Sequence, residues 1–333
     1  MDKERRETMS RITVNPSILA AWALLAALFL WPFLVPHEGI HFRVMGMACF
    51  HGCLAMAWNL SSLAGTVSLG HAAFFGLGAY GSALGNHYTH VSPYLTILFG
   101  GLLGALYGMG WHAVFKRLRG APFALATLAS VEIPKVIIDN WNSFTFGSLG
   151  VVGIPGLPAV ELGSLMVRFD ESPGAMYTLL LTCMLGAGLL HRRALVSRWG
   201  WGVRALREDE TAAEALGVNT NRIRFQVITV SGFFTGVCGG LYAHLLGLIE
   251  PGLVFSLHMS AMPLIVTIFG GRFQWYGPIL GALILYPLDQ WLFRSLLPVG
   301  HSVLYGLVVI VTLILFPQGM GKWLQKNLQR ASS

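Results

Sequence analysis

Long uncharged stretches, separated by short polar ones, fill most of the chain after residue 17. A helix needs about 20 mostly apolar residues to cross a lipid bilayer. Residues 44–115 contain no Asp, Glu, Lys or Arg, and this stretch is too long for a single crossing. Polar, turn-prone breaks at residues 61–66 and 86–93 divide it into three predicted helices.

The other uncharged stretches predict further membrane-spanning helices, so we expect about ten in total. These further helices cover residues 18–35, 121–140, 173–190, 223–248, 256–270, 275–293 and 299–316. The first follows a charged N-terminus, as in a signal peptide, but its end, WPFLVPHEG, lacks the small-residue cleavage pattern. We therefore expect a retained helix, and the predicted fold class is an all-α membrane protein.

This pattern divides the chain into a tail (residues 1–17), a transmembrane domain (residues 18–320) and a second tail (residues 321–333). Two long connections interrupt the transmembrane domain, at residues 141–172 and 191–222. The first is rich in Gly and Pro and long for a loop without structure. Such loops are often functional, although a simple surface linker fits the sequence equally well.

The second connection contains the most charged stretch of the chain, residues 199–224, which we call the polar segment. This segment is too polar to insert into the hydrocarbon of a bilayer. Each Arg, Lys or Asp at the centre of a membrane helix raises the free energy of insertion by about 2.5–3.5 kcal/mol even on the most lenient scale. The polar segment must therefore lie in water.

The distribution of charge places the polar segment in the cytoplasm. The chain is 54% hydrophobic and only 11% charged, with a net charge of +7. A basic excess suits a nucleic-acid-binding protein, or a membrane protein that keeps Lys and Arg in cytoplasmic loops. With ten helices and the N-terminus inside, 18 of the 22 Lys and Arg are cytoplasmic. This bias favours the membrane interpretation, with both termini cytoplasmic and no nucleic-acid partner.

Within the polar segment, residues 202–216 are predicted to form an amphipathic helix. Val203, Leu206, Ala213 and Leu216 share one side, and Gly217 is a natural C-terminal stop. A helix of this kind suits the groove of a partner protein. It also suits the surface of the bilayer headgroups, and the pattern alone leaves both possibilities open.

Glycines recur four residues apart in several predicted helices, which lets helices approach closely. Tight packing is the first interpretation. The alternative is that residues 67–85 line a translocation path. The candidate residues for that path are Gly70, His71, Phe74, Gly78, Glu132 and Lys135.

Ionisable residues fall within two of the predicted helices. Glu132 and Lys135 lie three residues apart and are placed to neutralise each other on one helix face. Asp289 lies about a turn from Arg294. Ionisable residues inside a membrane are candidates for function by default, yet a structural ion pair, facing the bundle or a partner subunit, explains both pairs equally well.

No catalytic residues are predicted. The only Gly-Lys, at Gly321, lacks the other residues of a phosphate-binding loop, and no HExxH or GxSxG motif is present. The four cysteines fall in apolar stretches without a third metal ligand nearby, so no metal site is expected. If ATP powers this protein, another chain must bind it.

Four stretches resemble a known family, the permeases of bacterial ABC importers, and most of all the Liv-type branched-chain amino acid permeases of the M type. The stretches are residues 56–85, 142–156, 204–244 and 263–285. In this family the equivalent of residues 204–217 is a coupling helix that docks in a groove of the ATPase. Ala212, Ala213 and Gly217 match its Ala-Ala-x-x-x-Gly core, but Thr211 stands where the family has Glu.

The resemblance implies a set of coupling residues and a set of partners. The expected ATPase-coupling residues are Arg207, Glu208, Glu210, Ala212, Ala213 and Gly217, with Glu208 or Glu210 replacing the missing Glu. The implied partners are a second permease of the H type, two ATP-binding cassette subunits and a periplasmic solute-binding protein. ATP and Mg²⁺ would be bound by the cassette subunits, with no cofactor in this chain, which lies in the bilayer of the bacterial inner membrane.

The function expected from the resemblance is ATP-coupled import of branched-chain or similar apolar amino acids by alternating access. Urea, short amides and small aromatic acids are the alternative substrates. A stand-alone secondary transporter or channel is the alternative from another class, in which Glu132, Lys135, Asp289 and His71 would be the coupling groups.

Overall fold

The structure is a computed structural model that describes residues 39–162, 165–169, 172–296, 300–315 and 319–321. The predicted first helix, over residues 18–35, and most of both tails lie outside the described residues. Most of the described elements are helices and the four strands are short, which fits the predicted fold class.

Most of the helices follow one another with short connections, and the exception is the stretch between α6 and α7. In chain order they are α1 (Gly39–Leu63), α2 (His71–Thr89), α3 (Pro93–Phe115), α4 (Gly120–Ser130), α5 (Glu132–Asn140), α6 (Asn142–Thr145), α7 (Pro173–Val196), α8 (Arg198–Glu208), α9 (Glu210–Ala215), α10 (Thr220–Leu246), α11 (Pro251–Val254), α12 (Leu257–Gly270), α13 (Gly277–Leu288), α14 (Arg294–Leu296) and α15 (His301–Leu315). A 3₁₀ turn covers Gly147–Leu149 and a π-helical turn covers Asp289–Phe293.

Six helical stretches in the described part of the chain are long and apolar enough to cross a membrane. They are Gly39–Leu63, Pro93–Phe115, Gly120–Asn140, Pro173–Val196, Thr220–Leu246 and Pro251–Gly270. The chain is thus an all-α membrane protein. The expected total of about ten stays a prediction, because α2, α13 and α15 are shorter or less apolar than these six.

Glycines bring α2, α3 and α10 into close contact. A Cβ atom on Gly78 of α2 would lie 2.1 Å from the carbonyl oxygen of Gly236 on α10, and one on Gly104 of α3 would lie 2.3 Å from that of Gly232. Real side chains do not approach a backbone this closely, so only glycine fits at these positions. The packing interpretation of the glycine spacing therefore holds here.

A second group of helices packs around α1. Gly281 of α13 lies against α12, where an added Cβ would be 2.0 Å from the carbonyl oxygen of Val266. Gly52 of α1 faces Met184 of α7. Phe50 and Leu54, both fully buried on α1, belong to the apolar core that these helices share with α2 and α10.

The long connection over residues 141–172 has structure of its own. It contains α6, the 3₁₀ turn and three short strands: β1 (Val151–Val152), β2 (Val160–Leu162) and β3 (Leu165–Val167). β2 pairs antiparallel with β3, and β1 pairs antiparallel with β4 (Leu248–Ile249), which follows α10. This connection is therefore attached to the helical bundle.

Candidate functional site

The polar segment contains two helices rather than the single one predicted over residues 202–216. α8 ends at Glu208, and Asp209 has an extended backbone (φ −158°, ψ 113°) before α9 begins. The Asp209 carboxylate accepts hydrogen bonds from the backbone N–H groups of Thr211 (2.9 Å) and Ala212 (3.0 Å). The single-helix prediction was wrong because Asp209 is an N-cap residue, which favours starting a new helix.

The end of α9 agrees with the sequence. Gly217 has a positive φ of 84°, and its N–H donates to Glu214 O at 2.9 Å. The N–H of Val218 donates to Ala213 O at 3.0 Å. These two bonds form a Schellman motif, in which glycine is favoured because it adopts left-handed backbone angles without strain. The predicted stop at Gly217 is confirmed.

The break at Asp209 changes which apolar residues face inward. Val203, Leu206 and Ala213 are buried, and the first two pack with Leu63 and Leu195. Leu216, predicted on the same side, is 86% exposed. The four residues do not share one side, because the helix that the prediction assumed to be continuous ends at Glu208.

Glu210 joins the polar segment to the ends of two long helices. Its carboxylate accepts two hydrogen bonds from Arg119, just after α3, at 2.9 Å each. It also accepts one from Arg224, in the second turn of α10, at 3.0 Å. The Arg224 side chain is only 6% exposed, so its charge needs this partner. We call Glu210, Arg119 and Arg224 the arginine clamp.

The arginine clamp holds Glu210 as an ionised carboxylate. Hydrogen bonds from Arg119, and then from Arg224, lower the pKa of Glu210 from its usual 4.5 to about 2. Glu210 is thus occupied within this chain. Glu208, by contrast, contacts its neighbour Arg207 and keeps 71% of its side chain exposed. Of the two carboxylates expected to replace the family Glu, Glu208 is the one open to a partner.

The predicted coupling residues therefore separate into two groups. Ala212, Gly217 and Glu208 are exposed, together with Leu216. Ala213 is buried, Glu210 belongs to the arginine clamp, and the guanidinium of Arg207 lies 4.8 Å from the ring centre of Phe273. We call the exposed group, Glu208, Ala212, Leu216 and Gly217, the outer face of the polar segment.

The predicted path residues on α2 are packed inside the bundle. An added Cβ on Gly70, the residue just before α2, would lie 2.0 Å from Thr127 O. The centre of the Phe74 ring lies 4.3 Å from the centre of the Trp111 ring. His71 is buried between Ser68 (3.1 Å from Nδ1) and Ser231 (2.9 Å from Nε2).

The hydrogen-bond network around His71 fixes its tautomer. The Ser231 hydroxyl donates to Ala57 O at 2.7 Å, so His71 Nε2 must donate to the Ser231 oxygen. His71 Nδ1 then accepts from Ser68. These contacts give His71 a structural role in joining α1, α2 and α10, and whether a path runs past it stays a prediction.

The other two path candidates, Glu132 and Lys135, lie on α5 at the surface of the chain. Their side chains are 62% and 32% exposed, and Lys135 Nζ is 3.5 Å from Glu132 Oε2. The second predicted pair also exists, with Arg294 Nε 3.8 Å from Asp289 Oδ2. The path candidates therefore lie in two places, with Glu132 and Lys135 on α5 and the other four at the start of α2 or within it.

Sequence reasoning missed two sets of residues. Arg119 and Arg224 were counted only among the cytoplasmic basic residues. Nothing in their spacing along the chain indicates that both bind the same carboxylate. His244 was also missed. Its Nδ1 donates to Pro155 O at 2.7 Å, and its Nε2 lies at hydrogen-bond distance, 2.9 Å, from the Ser82 hydroxyl oxygen.

The His244 contacts fix the 141–172 connection over the end of the bundle. Beside them lies a cavity of about 310 Å³ between α2 and the β1 region. It is lined by residues that include Asn86, His87, His90 and Pro155. No group of three or more His, Cys, Asp or Glu among the described residues is arranged to hold a metal ion.

Comparisons with known proteins agree with the resemblance. Residues 40–316 match the family described as "Branched-chain amino acid transport system / permease component". The chain is 30% identical to the high-affinity branched-chain amino acid transport system permease protein LivM of Salmonella typhimurium, over 90% of this chain and 73% of LivM.

Two further relatives match less of the chain. The permease protein LivH of Salmonella typhimurium is 25% identical over 66% of this chain and 73% of LivH. The autoinducer 2 import system permease protein LsrC of an Enterobacter species is 30% identical over 71% of this chain and 66% of LsrC. No solved structure matches the chain. The chain therefore belongs to the family of permease components of branched-chain amino acid transport systems.

Proposed function

We propose that this chain is one permease subunit of a bacterial ABC importer and that it moves branched-chain or similar apolar amino acids across the inner membrane. Transport would proceed by alternating access, with both termini in the cytoplasm and ATP hydrolysed by partner chains. The outer face of the polar segment is the observation that supports this proposal most directly.

The outer face has the properties of a docking surface. Leu216 is almost fully exposed although it is a large apolar residue, and Ala212 and Gly217 beside it are small enough to let another backbone approach. The segment behind it is anchored by buried Val203 and Leu206 and by the arginine clamp. A helix face with an exposed leucine, small neighbours and a free carboxylate, on a segment anchored to the bundle, suits a protein groove, and we infer that the groove belongs to the ATP-binding cassette subunit.

The remaining partners follow from the same proposal. The similarity to both LivM and LivH supports a pair of related permeases, in which this chain takes the M-type position and an H-type chain the other. Two cassette subunits would bind ATP and Mg²⁺, and a periplasmic solute-binding protein would deliver the substrate.

The substrate is proposed from the extent of similarity. LivM matches 90% of this chain, whereas LsrC, named for import of autoinducer 2, matches 71%. Branched-chain or similar apolar amino acids are therefore the first choice. Urea, short amides and small aromatic acids are the alternatives.

The proposal is tested by purifying the protein from its native membrane and identifying the chains that accompany it. We expect a second permease and ATP-binding cassette subunits. The assembly, reconstituted with its binding protein, should take up leucine, isoleucine or valine only when ATP is hydrolysed. Uptake by this chain alone without ATP would instead establish a secondary transporter or channel. ATP-driven uptake of urea but no amino acid would correct the substrate.

A further inference from the structure

The stretch formed by α4 and α5 has charges where a membrane-spanning helix seldom has them. Gly120–Asn140 is long and apolar enough to cross the membrane, yet only a third of it is buried within this chain. Glu132 lies twelve residues beyond Gly120, which places it about 18 Å along a helix that is about 30 Å long. The carboxylate is therefore close to the middle of the membrane.

The helix is interrupted at the same position. Pro134 has no N–H group, so the Ser130 carbonyl loses its usual donor four residues ahead. The hydroxyl of Tyr107, on α3, donates to that carbonyl instead, at 2.7 Å. The break is thus stabilised by a neighbouring helix, and Glu132 begins the helix that follows.

The face that bears Glu132 and Lys135 is unsuited to lipid. Ile133, Val136 and Ile137 are exposed on either side of the pair. One central charged residue in hydrocarbon costs about 2.5–3.5 kcal/mol. An ion pair offsets the loss of hydration only when its remaining hydrogen-bonding groups are satisfied as well. The Glu132 side chain is 62% exposed beside Lys135, so this face needs a polar partner within the assembled transporter.

We propose that Glu132 and Lys135 form the charged part of a substrate site that binds the ammonium and carboxylate groups of a zwitterionic amino acid. This proposal rests on the proposed function. Glu132 would accept hydrogen bonds from the substrate ammonium, and Lys135 would donate to the substrate carboxylate. The exposed side chains of Ile133, Val136 and Ile137 would contact the apolar part of the substrate.

The spacing of the pair matches an amino acid. Lys135 Nζ and Glu132 Oε2 are 3.5 Å apart, and standard bond lengths separate the nitrogen and a carboxylate oxygen of a free amino acid by about 3 Å. The four groups therefore close a square of alternating charge, in which each group has two neighbours of opposite sign. The substrate completes this arrangement without breaking the existing ion pair. Each of its two charges then has partners of opposite sign although it is no longer hydrated.

The test is uptake by the whole transporter, reconstituted with its second permease, cassette subunits and binding protein. Uptake of the amino acid carried by the wild type is measured first, at saturating binding protein and ATP. We expect Glu132→Gln and Lys135→Gln each to lower the uptake rate at least tenfold. ATP hydrolysis stimulated by the binding protein should stay within twofold of the wild type. Glu250→Gln, which changes an exposed carboxylate just after β4, is the matched control and should transport normally.

The double variant Glu132→Gln with Lys135→Gln separates a substrate site from a structural ion pair. It removes both members of the pair, so neither is left without the other, and the subunits should co-purify in the wild-type ratio while uptake stays at least tenfold low. Wild-type uptake by the double variant would overturn the proposal. Loss of the second permease from either single variant, restored in the double variant together with uptake, would assign the pair to the subunit interface. If the wild-type transporter carries no amino acid, the proposed function itself fails.

Discussion

Gly78 illustrates how a single residue determines the distance between two helices. It has no Cβ, and this lets α2 approach α10 until backbone touches backbone. The sequence predicted close approach from glycines four residues apart, but it did not distinguish a packing glycine from one that lines a path. The position of Gly236 opposite Gly78 shows that close packing requires glycine here, and whether Gly78 also lines a path stays a prediction.

The substitution Gly78→Ala should destabilise the protein, because its Cβ would lie 2.1 Å from Gly236 O and α2 must move away. Overpacking of this kind costs about 1–3 kcal/mol or more. Gly186→Ala is the matched control, since nothing lies within 4 Å of a Cβ added there. It should be neutral or stabilising by up to about 1 kcal/mol. Thermal unfolding in detergent measures both, and equal melting temperatures would contradict the packing role.

α9 shows what a short element gains from its contacts. It has six residues, too few to be stable alone. Asp209 caps its start, a Schellman motif closes its end, and the arginine clamp attaches its first residue to α3 and α10. A displacement of the outer face is therefore transmitted to two long helices, which is what a coupling element requires.

The clamp predicts a dependence on pH. The pKa of Glu210 is lowered to about 2 from an ordinary value of 4.5, so the carboxylate binds its proton less readily when folded. The stabilisation is then complete above about pH 4.5 and is lost as the pH falls towards 2. A spin label at position 216 should become more mobile in that interval.

Two variants isolate the clamp from general acid effects. Glu210→Gln should show a mobile label already at pH 7 and little further change between pH 4.5 and 2. Glu208→Gln removes an exposed carboxylate two residues away, at the end of α8, and should follow the wild type. A Glu210→Gln profile that coincides with the wild type would show that the clamp does not hold α9.

The sequence predicted the elements unevenly, for physical reasons. Long apolar stretches predicted the six long helical stretches well, because burial in lipid requires apolar length and little else. Gly217 was predicted because a left-handed residue after a helix favours glycine. The break at Asp209 was missed because the apolar spacing of residues 203–216 also fits one continuous helix. The arginine clamp could not be predicted from the sequence, because Glu210 is 91 positions from Arg119 and 14 positions from Arg224 along the chain.

In the whole molecule, the polar segment and the 141–172 connection should lie on opposite sides of the membrane. Lys and Arg cluster in the loops on the side of the polar segment, as expected for a cytoplasmic face. Leu149, in the 3₁₀ turn of the 141–172 connection, is 84% exposed. Leu149 and the equally exposed Leu216 are therefore suitable positions for labels that reach only one side of the membrane.

A cysteine at position 149 should react with a membrane-impermeant maleimide in spheroplasts, and one at position 216 only after the membrane is opened. The wild type measures the background from Cys49, Cys53, Cys183 and Cys238, which all lie in helices. Labelling of position 216 in closed spheroplasts would reverse the predicted orientation.

The central claim is that the outer face of the polar segment docks an ATP-binding subunit. The most direct measurement places a photo-crosslinking residue at position 216 and, as a control, at position 98, an exposed leucine on the membrane-spanning helix α3. Irradiation of the native membrane should join position 216 to an ATP-binding cassette chain and leave position 98 unjoined to it. Equal crosslinking at both positions, or none to such a chain at position 216, would contradict the account.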